Sequence, residues 1–191
     1  MKDIKNLLKK TWKFIWYDDS LLSWVVNIIL AFVIVKFLIY PGLGLLLGTS
    51  YPVVAVVSGS MEHQGFNFDT WWKMNENLYT QYGITKENFY NYNFRNGFNK
   101  GDLMILTSPN NFKKGDVIVF RGYNGEPIIH RAVVVDEKDG KLTVQTKGDN
   151  NKGSRQDEFG ITKEKIIGVA RFRIPYLGWF KLAFLQLIGK A

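Results

Sequence analysis

Two stretches, Val117–Arg121 (VIVFR) and Ile128–Asp136 (IIHRAVVVD), decide the fold class of this chain. Both are rich in β-branched residues, which is typical of strands. Gly115-Asp116 stands just before the first stretch, where a turn belongs. Four more stretches have the same character: Pro52–Val57, Leu103–Thr107, Leu142–Thr146 and Ile166–Arg173. Short strands with turn signals at this spacing predict a mainly β, antiparallel domain, which we place at residues 48–174.

An insertion at about residues 65–100 interrupts this pattern with many Asn, Tyr, Phe and Trp residues. Thr85 followed by Glu87 predicts the start of a short helix with Thr85 as its cap. We favour a small, partly helical subdomain that packs its own aromatic side chains. The alternative is a surface for the membrane headgroup zone, which Trp and Tyr suit.

The stretch Leu21–Tyr40 (LLSWVVNIILAFVIVKFLIY) is apolar apart from Ser23, Asn27 and Lys36. A helix needs about 20 such residues to cross the hydrocarbon core of a bilayer. A buried core helix would usually show one polar face, and a cleaved signal peptide would have a shorter apolar stretch. We therefore predict an uncleaved transmembrane helix, followed by a linker at the breaker cluster Pro41-Gly42-Leu43-Gly44, within residues 21–47.

Charge predicts the orientation of this helix. The positive-inside rule places its lysine-rich N-terminal side, residues 1–20, in the cytoplasm and the β domain on the other side of the membrane. A net charge of +8 permits contact with nucleic acid, but a location outside the cytoplasm predicts no nucleic-acid partner. The apolar tail at residues 175–191 is predicted to be a helix that lies in the interface or forms a short membrane segment, with a core helix as the alternative. The lysines that set the orientation are Lys2, Lys5, Lys9, Lys10 and Lys13.

The chain has no cysteine, which excludes disulfides, a thiol nucleophile and Cys-ligated metal sites. Ser60 follows a hydrophobic strand and lies between Gly59 and Met61, and His130 lies in an apolar strand. Each alone is more often a turn serine or a structural histidine. Together with Asp149 and Asp157 they predict a nucleophile, a base and an acid, since a serine hydroxyl needs a base to accept its proton.

Five motifs resemble type I signal peptidases, and the histidine marks the archaeal and endoplasmic-reticulum branch. The resemblance covers nearly the whole chain after the apolar stretch, except for the aromatic insertion. In order, the motifs are SGSM (Ser58–Met61), GDL (Gly101–Leu103), KKGDVIVFR (Lys113–Arg121), IIHR (Ile128–Arg131) and KGDNN (Lys147–Asn151).

The resemblance implies roles for the matching residues. Ser60 is the nucleophile and His130 the general base, while the Ser60 backbone N–H and the Ser58 hydroxyl form the oxyanion hole. Asp149 matches one acidic position of the family and Asp157 a second, although the loop after Asn151 is longer here than the family pattern. We assign Asp157 as the partner of His130 and give Asp149 a role in shaping the site.

The implied function is a membrane-anchored serine endopeptidase that removes signal peptides from secretory preproteins without a metal or cofactor. Its expected partners are those signal peptides, the lipid bilayer of the cell membrane and the protein export machinery, but no nucleic acid. Two alternatives remain: a self-cleaving or regulatory protease on the same scaffold, and a catalytically silent, membrane-tethered binding module.

Overall fold

The computed structural model describes residues 2–187 and 189, and this part of the chain divides into two compact units between Leu46 and Leu47. The first unit is helical and the second is built on a β-sheet, so the prediction of a mainly β protein with an N-terminal apolar helix is confirmed. The predicted tail extends to Ala191, but residues 188, 190 and 191 lie outside the described residues.

The first unit contains α1 (Lys2–Tyr17) and all but the last residue of a long apolar helix, Leu21–Leu47. That helix consists of α2 (Leu21–Ile34), a π-helical stretch (Val35–Ile39) and α3 (Tyr40–Leu47). By length and composition it can cross a membrane.

The predicted linker at Pro41–Gly44 is wrong, because the helix continues through it. The Tyr40 backbone N–H donates to the Val35 carbonyl, which is the wider spacing of a π-turn. Proline lacks an N–H and its ring normally collides with the preceding helical turn. A π-bulge directly before Pro41 breaks the regular α spacing at this point, so the helix is not forced to end.

The second unit is organised around one antiparallel sheet. Among the described residues seven strands pair in the order β1-β2-β7-β3-β4-β5-β6. The sequence predicted all of them except the two-residue strand β6. Their bounds are β1 (Val53–Ala55), β2 (Leu103–Thr107), β3 (Val117–Arg121), β4 (Pro127–Lys138), β5 (Lys141–Lys147), β6 (Ile161–Thr162) and β7 (Ile166–Ile174).

Strand β3 lies in the middle of the sheet. Its side chains alternate between two separate apolar clusters, one on each face of the sheet. Val117 and Val119 pack with Met61 and Met104 on one side. Ile118 and Phe120 pack on the other side. Since successive side chains of a strand point to opposite faces, burial on both sides explains why this stretch is almost continuously apolar.

The aromatic insertion forms α4 (Phe68–Thr80) and α5 (Lys86–Tyr90). Thr85 caps α5 as predicted, and its hydroxyl accepts a hydrogen bond from the Asn88 backbone N–H. The predicted subdomain that packs its own aromatic side chains is confirmed: they form a buried cluster with Val133 of β4. Its buried members include Trp71, Trp72, Tyr79 and Phe89.

After β7 the chain forms α6 (Trp179–Leu187). Leu182 is buried, while Phe180 and Phe184 are exposed. An interfacial role for this helix stays a prediction.

Candidate active site

Ser60 and His130, 70 residues apart in the sequence, lie within hydrogen-bond distance of each other. Ser60 follows β1 in a turn, and His130 lies on β4. The Ser60 hydroxyl oxygen lies 2.8 Å from Nε2 of His130, and the ring is almost fully buried. A hydroxyl at this distance donates its hydrogen to the imidazole, which is the contact that a serine nucleophile and its base require.

The carboxylate at the other ring nitrogen of His130 belongs to Glu158, not to the predicted Asp157. Oε1 of Glu158 lies 2.5 Å from Nδ1 of His130. Asp157 instead directs its carboxylate to Arg155, whose Nε is 3.4 Å away, and lies beside Gly122. Both acids occupy the 3₁₀ turn Gln156–Glu158, in which adjacent side chains point in different directions, so only one can face the ring.

The environment of Glu158 keeps it ionised. Burial alone would raise the pKa of this carboxyl, but hydrogen bonds from His130, the Arg155 backbone N–H and the Thr146 hydroxyl hold the pKa below its ordinary value. An ionised carboxylate at Nδ1 selects the tautomer that leaves Nε2 free to accept a proton. It also stabilises the imidazolium that forms when the proton arrives.

Ser58 lies next to the nucleophile. Its hydroxyl oxygen is 3.0 Å from that of Ser60. Such a hydroxyl can turn towards an oxygen that gains negative charge beside Ser60, as the resemblance implies.

The KGDNN loop holds the backbone around Ser60 in place. The Asn150 N–H donates to the Ser60 carbonyl at 2.8 Å, and the Asn150 side chain donates to the Gly59 carbonyl at 3.0 Å. Gly148 lies close to both Ser60 and His130, where a side chain would not fit. A Cβ atom at Gly148 would stand 2.8 Å from the Ser60 carbonyl oxygen and 2.9 Å from Nε2 of His130, closer than real Cβ atoms approach other atoms.

Asp149 pairs with Arg131, and the carboxylate beside His130 is that of Glu158. Arg131, which follows His130 in β4, donates to both oxygens of Asp149 at 2.9 and 2.6 Å, and both residues of this pair are completely buried. Burial raises the pKa of the Asp149 carboxyl, but the Arg131 charge and the hydrogen bonds from His63 and Arg131 outweigh it and hold the pKa well below its usual range.

The aromatic insertion contacts this buried pair. The Tyr79 hydroxyl donates to Asp149 at 2.8 Å, and His63, stacked on Trp71, lies 3.1 Å from the other carboxylate oxygen. Lys147 lies 3.4 Å from the Tyr79 hydroxyl, and its burial lowers its pKa to about 8. The insertion therefore helps to fix the loop that supports Ser60.

A cleft of about 610 Å³ opens at Ser60 and His130. Its lining includes Ala55, Val57 and Ser58, residues of the β3–β4 turn and the start of β4, and Asp157. In the described part of the chain, β1 is an edge strand that pairs only with β2. An unpaired strand edge beside a reactive serine suits an extended peptide.

The structure brings the predicted residues Ser58, Ser60 and His130 together and places Asp149 in the loop that supports Ser60, whereas sequence reasoning did not single out Glu158 or the supporting residues. One available signal was Arg131, since a charged side chain in an apolar strand needs a buried partner. Glu158 gave a weaker signal as the neighbour of the chosen aspartate. The supporting residues that were missed are His63, Tyr79, Arg131 and Lys147.

Comparison with known proteins identifies relatives, although no protein-family model matches the chain. The chain is 31% identical to the signal peptidase complex catalytic subunit SEC11 of Lachancea thermotolerans, over 76% of this chain and 73% of the relative. It is 29% identical to the human signal peptidase complex catalytic subunit SEC11C, over 80% of this chain and 72% of the human protein. The corresponding subunit of Colletotrichum graminicola is 27% identical, over 80% and 81% of the two chains.

Proposed function

The chain belongs to the family of signal peptidase catalytic subunits, and we propose that it cleaves signal peptides with Ser60, His130 and Glu158. The observation that carries this assignment is the continuous series of contacts from Ser60 through both nitrogens of His130 to Glu158. An ordinary turn serine has no reason to contact a buried histidine that is oriented by a buried carboxylate.

In the proposed reaction, Ser60 attacks the carbonyl carbon of the scissile peptide bond while Nε2 of His130 accepts the hydroxyl proton. The imidazolium then donates that proton to the departing amine, and the C–N bond breaks to leave an acyl-enzyme. Water hydrolyses the ester by the same proton transfers in reverse order. Glu158 stays ionised and stabilises the imidazolium in both halves.

The carbonyl oxygen of the substrate gains negative charge during both attacks. We assign the Ser60 backbone N–H and the Ser58 hydroxyl as its donors. Removing one donor of this kind typically slows the chemical step by about 10²–10³-fold.

The substrate lies in the cleft as an extended segment beside the free edge of β1. Main-chain hydrogen bonds give affinity in this binding mode and small pockets give selectivity, so that varied signal peptides are accepted. The apolar helix Leu21–Leu47 anchors the enzyme in the membrane with its lysine-rich side in the cytoplasm. The relatives are named as subunits of a signal peptidase complex, and we extend this to partner subunits and to contact with the export machinery.

The test is cleavage of an added preprotein by the full chain in detergent, with the cut mapped by mass spectrometry. The native chain is expected to release one signal peptide, and Ser60→Ala to release none. Ser108→Ala is the matched control, because Ser108 lies on another loop and accepts a hydrogen bond from Asn110. Equal cleavage by Ser60→Ala and the native chain would remove Ser60 from the reaction. Cutting of the enzyme alone would favour a self-cleaving protease.

A further inference from the structure

Helix α1 has two chemically opposite faces. Residues spaced three and four apart fall on one side of a helix. The spacing gathers Ile4, Leu7, Leu8 and Thr11 on one side and Lys5, Lys9 and Lys13 on the opposite side. Asp3 is the one acidic residue of the helix. The helix is therefore both strongly amphipathic and strongly cationic.

The side chains of the apolar face are exposed. Ile4, Leu7 and Leu8 are each about two thirds exposed, at 64%, 65% and 64%. Trp12 and Trp16 are equally exposed and pack against each other, with ring centres 5.5 Å apart. Trp12 and Trp16 follow Lys9 and Lys13 by three residues and so lie on the lysine side of the helix. Tryptophan suits the headgroup level, and the exposed face of Ile4, Leu7 and Leu8 suits the acyl chains below it.

The apolar helix itself fixes where α1 ends. The Ser23 hydroxyl donates to the Phe14 carbonyl at 2.7 Å, and the Asn27 amide donates to the Ile15 carbonyl at 2.9 Å. Both carbonyls belong to the last turn of α1, where no helical N–H is available to them. The two polar residues near the start of the apolar helix therefore cap α1 and hold its end at the N-terminal turns of that helix.

We propose that α1 lies in the membrane interface, with Ile4, Leu7 and Leu8 among the acyl chains and its lysines among anionic phospholipid headgroups. This inference rests on the proposed membrane anchor, because the start of a spanning helix lies at the headgroup level. The excess of lysine selects anionic over zwitterionic lipid, since each cation near such a surface adds electrostatic attraction. In this position α1 sets how deep the N-terminal end of the apolar helix lies in the membrane and how far that helix tilts.

The chain has no cysteine, so single cysteines can be placed freely and spin-labelled in the full chain. Leu8→Cys and Lys9→Cys report the two faces of α1, and Ile29→Cys, which is exposed on the apolar helix, reports the anchor. Each variant is reconstituted in vesicles of phosphatidylcholine with or without phosphatidylglycerol. The measurement compares the accessibility of each label to oxygen, which concentrates in lipid, and to a water-soluble nickel complex.

We expect oxygen to dominate at Leu8→Cys and Ile29→Cys, and nickel at Lys9→Cys. Without phosphatidylglycerol, the oxygen preference at Leu8→Cys should fall severalfold while that at Ile29→Cys is unchanged. Replacing Lys5, Lys9, Lys10 and Lys13 with Gln in the Leu8→Cys background should remove this lipid dependence.

Three results would overturn the proposal. Nickel access at both α1 labels, with oxygen access at Ile29→Cys, would place α1 in water while the anchor stands. Protection of Leu8→Cys from both reagents would mean that protein covers this face. Nickel access at all three labels would refute the anchor, and the inference about α1 with it.

Discussion

Oε1 of Glu158 lies 2.5 Å from Nδ1 of His130, whereas the neighbouring Asp157 directs its carboxylate to Arg155. Two acids adjacent in sequence thus have separate surroundings, and the imidazole contacts only the second. The longer side chain of Glu158 reaches the ring from a fully buried position and also accepts from Thr146. The carboxylate that contacts the imidazole is therefore a glutamate, although the sequence has an aspartate one residue earlier.

Glu158→Gln should lower kcat severely and leave KM little changed. A glutamine at this position cannot stabilise the imidazolium, and its amide can favour the wrong tautomer of His130. A change of this kind in a serine protease lowers turnover by about 10⁴-fold, and we expect a loss on that order. Single-turnover cleavage of a preprotein measures the chemical step directly.

Asp157→Asn is the matched control, because it makes the same chemical change one residue away. It should keep a near-native single-turnover rate at saturating substrate, since its carboxylate faces an exposed arginine rather than the ring. Because Asp157 lines the cleft, any effect of this change should fall on KM. If Asp157→Asn proved the more damaging of two equally folded variants, Asp157 would be the acid and the role of Glu158 would be structural.

Gly148→Ala should reduce turnover strongly, because its Cβ would press on the Ser60 carbonyl oxygen and on Nε2 of His130. Displacing either group lengthens the 2.8 Å contact on which proton transfer depends. Gly153→Ala is the control in the same loop, since no described atom lies within 4 Å of a Cβ there. Thermal melting and single-turnover rates of both variants separate loss of the site from loss of the fold. Native turnover in Gly148→Ala would show that the loop yields to the methyl group.

The sequence predicted the sheet well because strand signals are local. Val117–Arg121 and Leu103–Thr107 match the observed strands at both ends, since their pattern reflects burial of the strand itself. Ser60 and His130 were also found, because both lie in distinctive motifs. Glu158 was missed because the choice between two adjacent acids depends on the turn Gln156–Glu158, which no periodicity reports. Tyr79 was missed because its partner Asp149 lies far along the chain.

Asp149 should make the fold sensitive to acid. Its pKa is depressed in the folded state, while in the unfolded chain an aspartate titrates near 3.9. Below about pH 4 the unfolded chain takes up a proton that the folded chain does not, so stability falls as the pH falls. Above that range the contribution of Asp149 is fully present. Denaturant unfolding in detergent over a range of acidic pH values measures the slope.

Asp149→Asn should lose stability at neutral pH and show a weaker dependence on acid. It leaves the buried charge of Arg131 without its partner, a change that typically costs about 3–5 kcal/mol. Asp69→Asn is the control, because Asp69 pairs with Lys86 on the exposed surface and should change little. An unchanged unfolding midpoint in Asp149→Asn would contradict the view that this pair supports the site.

Lys147 should make the stability of the fold depend on pH in the alkaline range. Burial lowers its pKa to about 8, against an ordinary value near 10.4 in the unfolded chain. Between these values the unfolded chain holds a proton that the folded chain has released, so stability should rise with pH, by roughly 3 kcal/mol in total. Lys147→Met keeps the length of the side chain without the charge and should flatten the rise, whereas Lys141→Met, exposed on the same strand, should not. Parallel stability curves for Lys147→Met and the native chain would mean that Lys147 is charged in the folded protein throughout this range.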